Sequence, residues 1–103
     1  MRDSCMVKII VTLEVKDRAS FSMFEKQAIE IMGKYEGKLI LAFEPNKEES
    51  TLLNIDEVHH LEFPNIKLFR SYRTSPELKA LTGLRNKGIS KTTVIVSGSQ
   101  VAY

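Results

Sequence analysis

The sequence predicts an α+β fold in which four strands and two helical regions follow the order β-α-β-β-α-β, and three observations carry that reading. A period-two alternation of apolar residues opens the chain, and a period of three to four replaces it between Asp17 and Gly37. The stretch 57–85, EVHHLEFPNIKLFRSYRTSPELKALTGLR, then runs a half-buried strand, a turn and two capped helical segments together.

Over residues 6–15, Val7, Ile9, Val11, Leu13 and Val15 alternate with Lys8, Ile10, Thr12 and Glu14, as expected of a strand with one face on a core. Asp17 or Ser20 can cap the helix that follows. On it Phe21, Phe24, Ala28, Ile31 and Tyr35 recur at spacings of three and four and form one apolar stripe. Gly37 is expected to end this helix in left-handed backbone, which costs glycine nothing. The second strand, 38–44, sets Leu39, Leu41 and Phe43 on one side and Ile40, Ala42 and Glu44 on the other, and Pro45 stops it. Residues 46–55 read as an exposed connection whose apolar end (Leu52, Leu53, Ile55) tucks back.

The third strand is 57–63, halted by Pro64. Ile66, Phe69 and Tyr72, with Leu68 nearby, then make a short amphipathic helix that breaks before Ser75. Ser75, Pro76 and Glu77 start another: a hydroxyl cap, a proline where its missing N–H is harmless, and an acid near the positive end of the dipole. Leu78, Leu81 and Leu84 line its buried side and Gly88 closes it. Residues 92–101 return as the fourth strand, Val94 and Val96 opposite Thr93, Ile95 and Ser97.

This is the split βαβ or ferredoxin-like unit. Right-handed crossovers place the helices on one face of a four-stranded antiparallel sheet, with the first and last elements at or near its edges. The uncovered face is expected to hold Ile10, Thr12, Ile40, Ala42, Val58 and Ile95, too apolar for water, so a second copy should cover it as a homodimer. At 103 residues the chain has room for one core, and 1–103 is read as a single domain.

Composition excludes several classes of function. With 43% hydrophobic and 27% charged residues the chain has the balance of a soluble globular protein. Its 15 basic and 13 acidic residues leave +2, scattered without a stripe, which argues against nucleic acid or a membrane surface as partner. Cys5 is the only cysteine, so no intramolecular disulfide can form; it reads as a small buried residue at the start of a strand in a reducing, cytoplasmic setting. The opening MRDSCMVKIIVTLEV, with its early acid and interrupted apolar run, is neither a signal peptide nor a membrane span.

Both histidines lie on the third strand, and period two sends them to opposite faces: His59 joins Leu61 and Phe63, while His60 joins Val58 and Glu62. With the first set toward the helices, His60 and Glu62 look into the dimer interior, where Glu44 can approach. That trio could bind a metal or pass a proton, but it lacks further ligands, so no metal is expected; the plainer reading pairs these residues with a Lys or Arg of the partner. His59 is the better candidate for a pocket between sheet and helices near Tyr35, Tyr72 and Arg85, although a histidine on an apolar strand face is more commonly a core residue bonded to backbone. Arg85, late in a helix, suits the dipole and can cover Leu81 and Leu84, a structural role that outweighs carboxylate recognition.

Glu62-Phe63-Pro64, Tyr72 three residues before Ser75-Pro76-Glu77, Leu84-Arg85, and upstream Tyr35-Glu36-Gly37-Lys38-Leu39 together resemble the uncharacterised domain-of-unknown-function family 1330 of the dimeric α/β-barrel superfamily, over residues 15–98. The chain departs from the family pattern where a Trp-Tyr pair is Tyr72-Arg73, a tyrosine is Leu78 and a double glycine is Glu36-Gly37. The resemblance implies a ferredoxin-like subunit whose sheets pair back to back, and it implies no reaction. The leading expectation is a small homodimer binding an apolar or aromatic molecule between sheet and helices, without a cofactor. Tyr35, Glu62, Tyr72 and Arg85 are its candidate ligand contacts. The alternatives are a cofactor-independent monooxygenase or isomerase using His59 or His60 to move a proton, and a structural or regulatory dimer with no ligand.

Overall fold

The computed structural model describes residues 6–103. The expectation for Cys5 lies outside them. In chain order the elements are β1 (Val7–Val15), α1 (Arg18–Lys34), β2 (Lys38–Phe43), β3 (Glu57–Phe63), α2 (Ile66–Arg73), α3 (Pro76–Lys79), α4 (Thr82–Gly88) and β4 (Ile89–Val96). The sheet is antiparallel in the order β2-β3-β1-β4. This is the ferredoxin-like βαββαβ arrangement, with β1 at the centre and β2, not β1, sharing the edges with β4.

Local chemistry explains the helix boundaries. Asp17 caps α1 by accepting from the Ser20 N–H at 3.1 Å and from its hydroxyl. Asn65 caps α2 through the Leu68 N–H, and the buried Ser75 caps α3 through the Leu78 N–H. The expected single helix after Ser75 is two short ones, α4 starting at Thr82 without a side-chain cap.

Both flanking glycines are required by close approach rather than by handedness. The left-handed residue after α1 is Glu36 (φ 65°), and Gly37 does not have positive φ. A Cβ on Gly37 would overlap the Phe63 ring and Met32. A Cβ on Gly88 would fall 2.5 Å from the Phe21 backbone nitrogen. There the end of α4 docks on the start of α1, and the Gly88 carbonyl accepts from Lys16 N at 2.9 Å.

Strand β2 corrects the expected face assignment. Leu39 pairs with Leu61, but Leu41 pairs with His60, Ala42 with His59 and Phe43 with Val58, so a bulge at Ile40 absorbs one residue. Leu41 and Phe43 therefore lie on the open face, and Ala42 moves to the helix side. The open face also carries Ile10, Thr12, Val58 and Ile95. Ile95 is 58% exposed, Leu41 53% and Phe43 48%. β4 starts earlier than expected because Ile89 already pairs with Val15, and it ends at Val96; Ser97 then bonds Lys8 in both directions. In the β2–β3 connection only Ile55 tucks in, whereas Leu52 and Leu53 stay exposed.

The core between sheet and helices is divided. One cluster gathers Val7, Ile9, Met32, Leu61, Phe63 and Phe69, the other Leu13, Phe21, Phe24, Ala28 and Ile89, and Val11 packs against both. The space where the two meet is not filled.

Candidate functional site

That space is a cavity of about 300 Å³. Val11, His59 and Val94 form part of its floor on the sheet, and Phe24, Ala28 and Met32 part of its roof on α1. Tyr72 and Arg73 from α2, Leu78 from α3 and Arg85 from α4 close the sides. Ala28 above and Thr92 below are short where a Leu or Phe would fill the volume.

His59 is buried, 5% exposed, and holds the polar end of the cavity. It is not the backbone-bonded core histidine that the sequence favours. Glu57, two residues away on the same strand face, sets its Oε2 2.6 Å from His59 Nε2, and Arg18 Nη1 donates to the other Glu57 oxygen at 2.9 Å. Burial pushes the Glu57 carboxyl up, but the hydrogen bonds from His59 and Arg18 outweigh it and hold it below the ordinary carboxylate range. An ionised carboxylate only accepts, so neutral His59 carries its proton on Nε2 and leaves Nδ1 as the lone pair.

Nδ1 faces Glu25 Oε1 at 3.6 Å. Burial pushes the Glu25 carboxyl up; His59 pulls it back, and the Glu57 charge adds to the rise. The order Glu57–His59–Glu25 thus sets an acceptor held ionised on one side of the ring and a carboxyl disposed to hold a proton on the other. Arg18, Phe21 and Glu25 occupy one face of α1 at spacings of three and four, and Phe21 packs on the imidazole with centroids 6.5 Å apart.

Tyr72 borders the cavity with its phenol raised far above the ordinary range by burial and by the Glu25 charge, so it is a hydrogen-bond donor and not a base. Its only protein partner among the described residues is the Ala28 carbonyl at 3.5 Å, a weak contact that leaves the hydroxyl available. Arg85 reaches the cavity and donates to the Thr92 hydroxyl at 2.9 Å.

Tyr35, by contrast, does not border the cavity. Its hydroxyl donates to Glu77 at 3.1 Å, and its ring backs Tyr72, centroids 6.4 Å apart. His60 and Glu62 are on the open face of the sheet. Glu62 accepts from its own chain's Lys8 at 2.8 Å, which holds its carboxyl low, so it needs no cation from a partner. His60 Nε2 is 3.5 Å from Glu62 and has no hydrogen-bond partner among the described residues. Glu44 does not approach this pair, because its carboxylate points to Arg18 at 3.5 Å. The structure therefore joins His59, Tyr72 and Arg85 and separates Tyr35, His60 and Glu62 from them. Glu57 and Glu25 were missed, although each had a signal: Glu57 is in phase with His59, and Glu25 interrupts the buried stripe between Phe21 and Ala28.

Fold and site define a ferredoxin-like α+β domain with a cavity between sheet and helices. The chain belongs to the family of the domain of unknown function DUF1330, whose model matches residues 7–99. Among curated proteins no sequence match was found. A protein of unknown function from Rhodopseudomonas palustris has a similar structure (TM-score 0.80, 10% identity, covering 96% of this chain and 85% of that chain). So does SnoaB, a cofactor-independent oxygenase from Streptomyces nogalater (0.69, 9%, 95% and 96%). A dimeric protein of unknown function with a ferredoxin-like fold from Bacteroides fragilis is also similar (0.58, 17%, 89% and 94%). At such identities the likeness is one of fold.

Proposed function

We propose that this chain acts as a homodimer that binds a small, largely apolar or aromatic molecule between sheet and helices and moves a proton on it through His59. The observation that carries this is the convergence of the cavity on the Glu57–His59–Glu25 row. With Glu25 ionised, His59 Nδ1 accepts a proton from a phenol or an enolisable ketone; Glu57 orients the ring and stabilises the imidazolium, and Glu25 takes the proton from Nδ1 to become the neutral acid that its burial favours. Tyr72 donates to the oxygen on which charge develops. SnoaB, described as a cofactor-independent oxygenase, supports the idea that such a subunit can work without a cofactor, and the same deprotonation would begin either an oxygenation or an isomerisation.

The open sheet face supports the homodimer. Leu41, Phe43 and Ile95 stand in water on it. The similar Bacteroides fragilis protein is described as dimeric.

Two readings test the site. Titration with 2-naphthol, followed by NMR, should shift His59 and Tyr72 resonances. Solvent exchange of the acidic C–H of 2-methylcyclohexane-1,3-dione should be accelerated by the protein, and His59→Gln should remove about 10²–10⁴-fold of that acceleration. If millimolar naphthol leaves the cavity resonances unmoved and the dione exchanges at its buffer rate, the cavity is not a ligand site.

A further inference from the structure

We propose that the natural ligand is an organic anion, a one- or two-ring aromatic acid whose carboxylate sits on Arg85. This rests on the cavity being a ligand site and adds the chemical class of what enters it. Arg85 is half-buried and lines a mostly apolar cavity, where its guanidinium donates to the neutral hydroxyl of Thr92, another lining residue. Among the described residues no carboxylate lies within ion-pairing distance of Arg85 or of Arg73. Arg73 borders the same cavity and lays its guanidinium over the Phe69 ring, 4.8 Å from the centroid.

Elsewhere in this molecule a cation beside a carboxylate takes it: Arg18 holds Glu57, and Lys8 holds Glu62. A cation withdrawn from water without a counterion is unfavourable, and a ligand carboxylate corrects that. The guanidinium offers five N–H donors in a planar fork that fits a carboxylate at two points, and Thr92 occupies the donor turned to the sheet.

The other charged groups at the cavity fit the same occupant. Glu25 and His59 sit at the far end, on α1 and β3, while Arg85 lies over β4 beside Thr92. With β1 between β3 and β4, the two ends are two strand spacings apart, on the order of 10 Å. A carboxylate on Arg85 is thus kept away from Glu25, and the opposite edge of the ring system is presented to His59. An apolar void of about 150 Å³ is enough for benzene, so about 300 Å³ takes one or two rings.

Calorimetry on the intact protein with 2-naphthoate, its neutral isostere 2-naphthamide, and 2-naphthol tests this. The expected result is naphthoate binding at least ten-fold tighter than naphthamide. That ratio should fall toward one in Arg85→Gln and to an intermediate value in Arg85→Lys, which keeps the charge and loses the two-point fork. Because the readout is a ratio within each variant, partial loss of folded protein does not imitate it. If naphthol binds but naphthoate shows no advantage over the amide, or if Arg85→Gln keeps the advantage, the anion assignment falls while the cavity reading stands. If none of the three binds at millimolar concentration, both fall.

Discussion

His59 and His60 are neighbours in the chain and belong to two different surfaces. The helix-covered face of the sheet is packed into two clusters with a cavity between them, and its histidine is held by carboxylates on both sides. The open face carries Leu41, Phe43 and Ile95 in contact with water, and its histidine has no hydrogen bond at Nε2 among the described residues. The difference teaches that one strand can present two unlike surfaces at once, a packed face with a cavity and an open apolar one, because period two separates them by a single residue.

The largest effect should come from the closed face. Phe63 is 1% exposed, touches the Phe69 and Tyr72 rings and leaves no room for a Cβ on Gly37. Phe63→Ala should cost about 3–5 kcal/mol, a large part of the stability of a domain this size, read by urea unfolding. A loss below about 1 kcal/mol would mean that the closed face is not the core.

The same kind of substitution on the open face should act on assembly instead. Ile95→Asp sets a charge on the β4 edge of the apolar patch and Leu41→Asp one on its β2 edge, and together they should convert a dimer to a folded monomer in light scattering behind size exclusion, with the circular dichroism spectrum kept. A double variant that remains dimeric would place the interface elsewhere.

How much of this contrast was legible depended on where the apolar pattern was unambiguous. On β1 and β3 polar and apolar residues alternate, and the faces of His59 and His60 followed directly from the spacing. On β2 the run Leu39 to Phe43 is apolar in both phases, so nothing in it reveals that one residue is extruded, and Leu41 and Phe43 were placed on the wrong side. Gly37 read as a handedness signal because helices often end that way, whereas the need for it lies in Phe63, 26 residues on and invisible to local reasoning. Glu25 was lost for a related reason: a carboxylate beside Lys26 and Gln27 looks like solvent-facing polarity until the strand beneath it is known to present a histidine.

A smaller effect, with a definite pH signature, separates the cavity end from the rest of the closed face. Folding raises the Glu25 carboxyl above its unfolded value, so its contribution to stability is fully present below the ordinary carboxylate range and is lost as pH rises through the raised value. Glu25→Gln removes that loss. The variant should melt at a higher temperature than the parent at pH 7–8, and the gap should close by about pH 4, where the parent carboxyl is protonated as well. A constant gap across that range would show that Glu25 titrates normally and does not hold a proton beside His59. Glu57 has the opposite sign: held low by His59 and Arg18, it stabilises above its unfolded value and is lost only as pH falls through the lower one, so Glu57→Gln should melt lower at pH 7.

The smallest effect is expected where the two faces are exchanged along one strand. Deleting Ile40 removes the bulged residue and lets Leu39, Leu41, Ala42 and Phe43 keep the partners they already have, Leu61, His60, His59 and Val58. The side chain lost is itself 47% exposed, so little buried area goes with it. Stability should change by less than about 1 kcal/mol, since a bulge bends and twists an edge strand more than it supports it. Deletion of any other residue of β2 after Leu39 would either drop one of these pairs or turn Leu41 and Phe43 inward against His59. If the Ile40 deletion were as damaging as Phe63→Ala, the curvature imposed by the bulge, and not the pairing, would be what sets Leu41 and Phe43 on the open face.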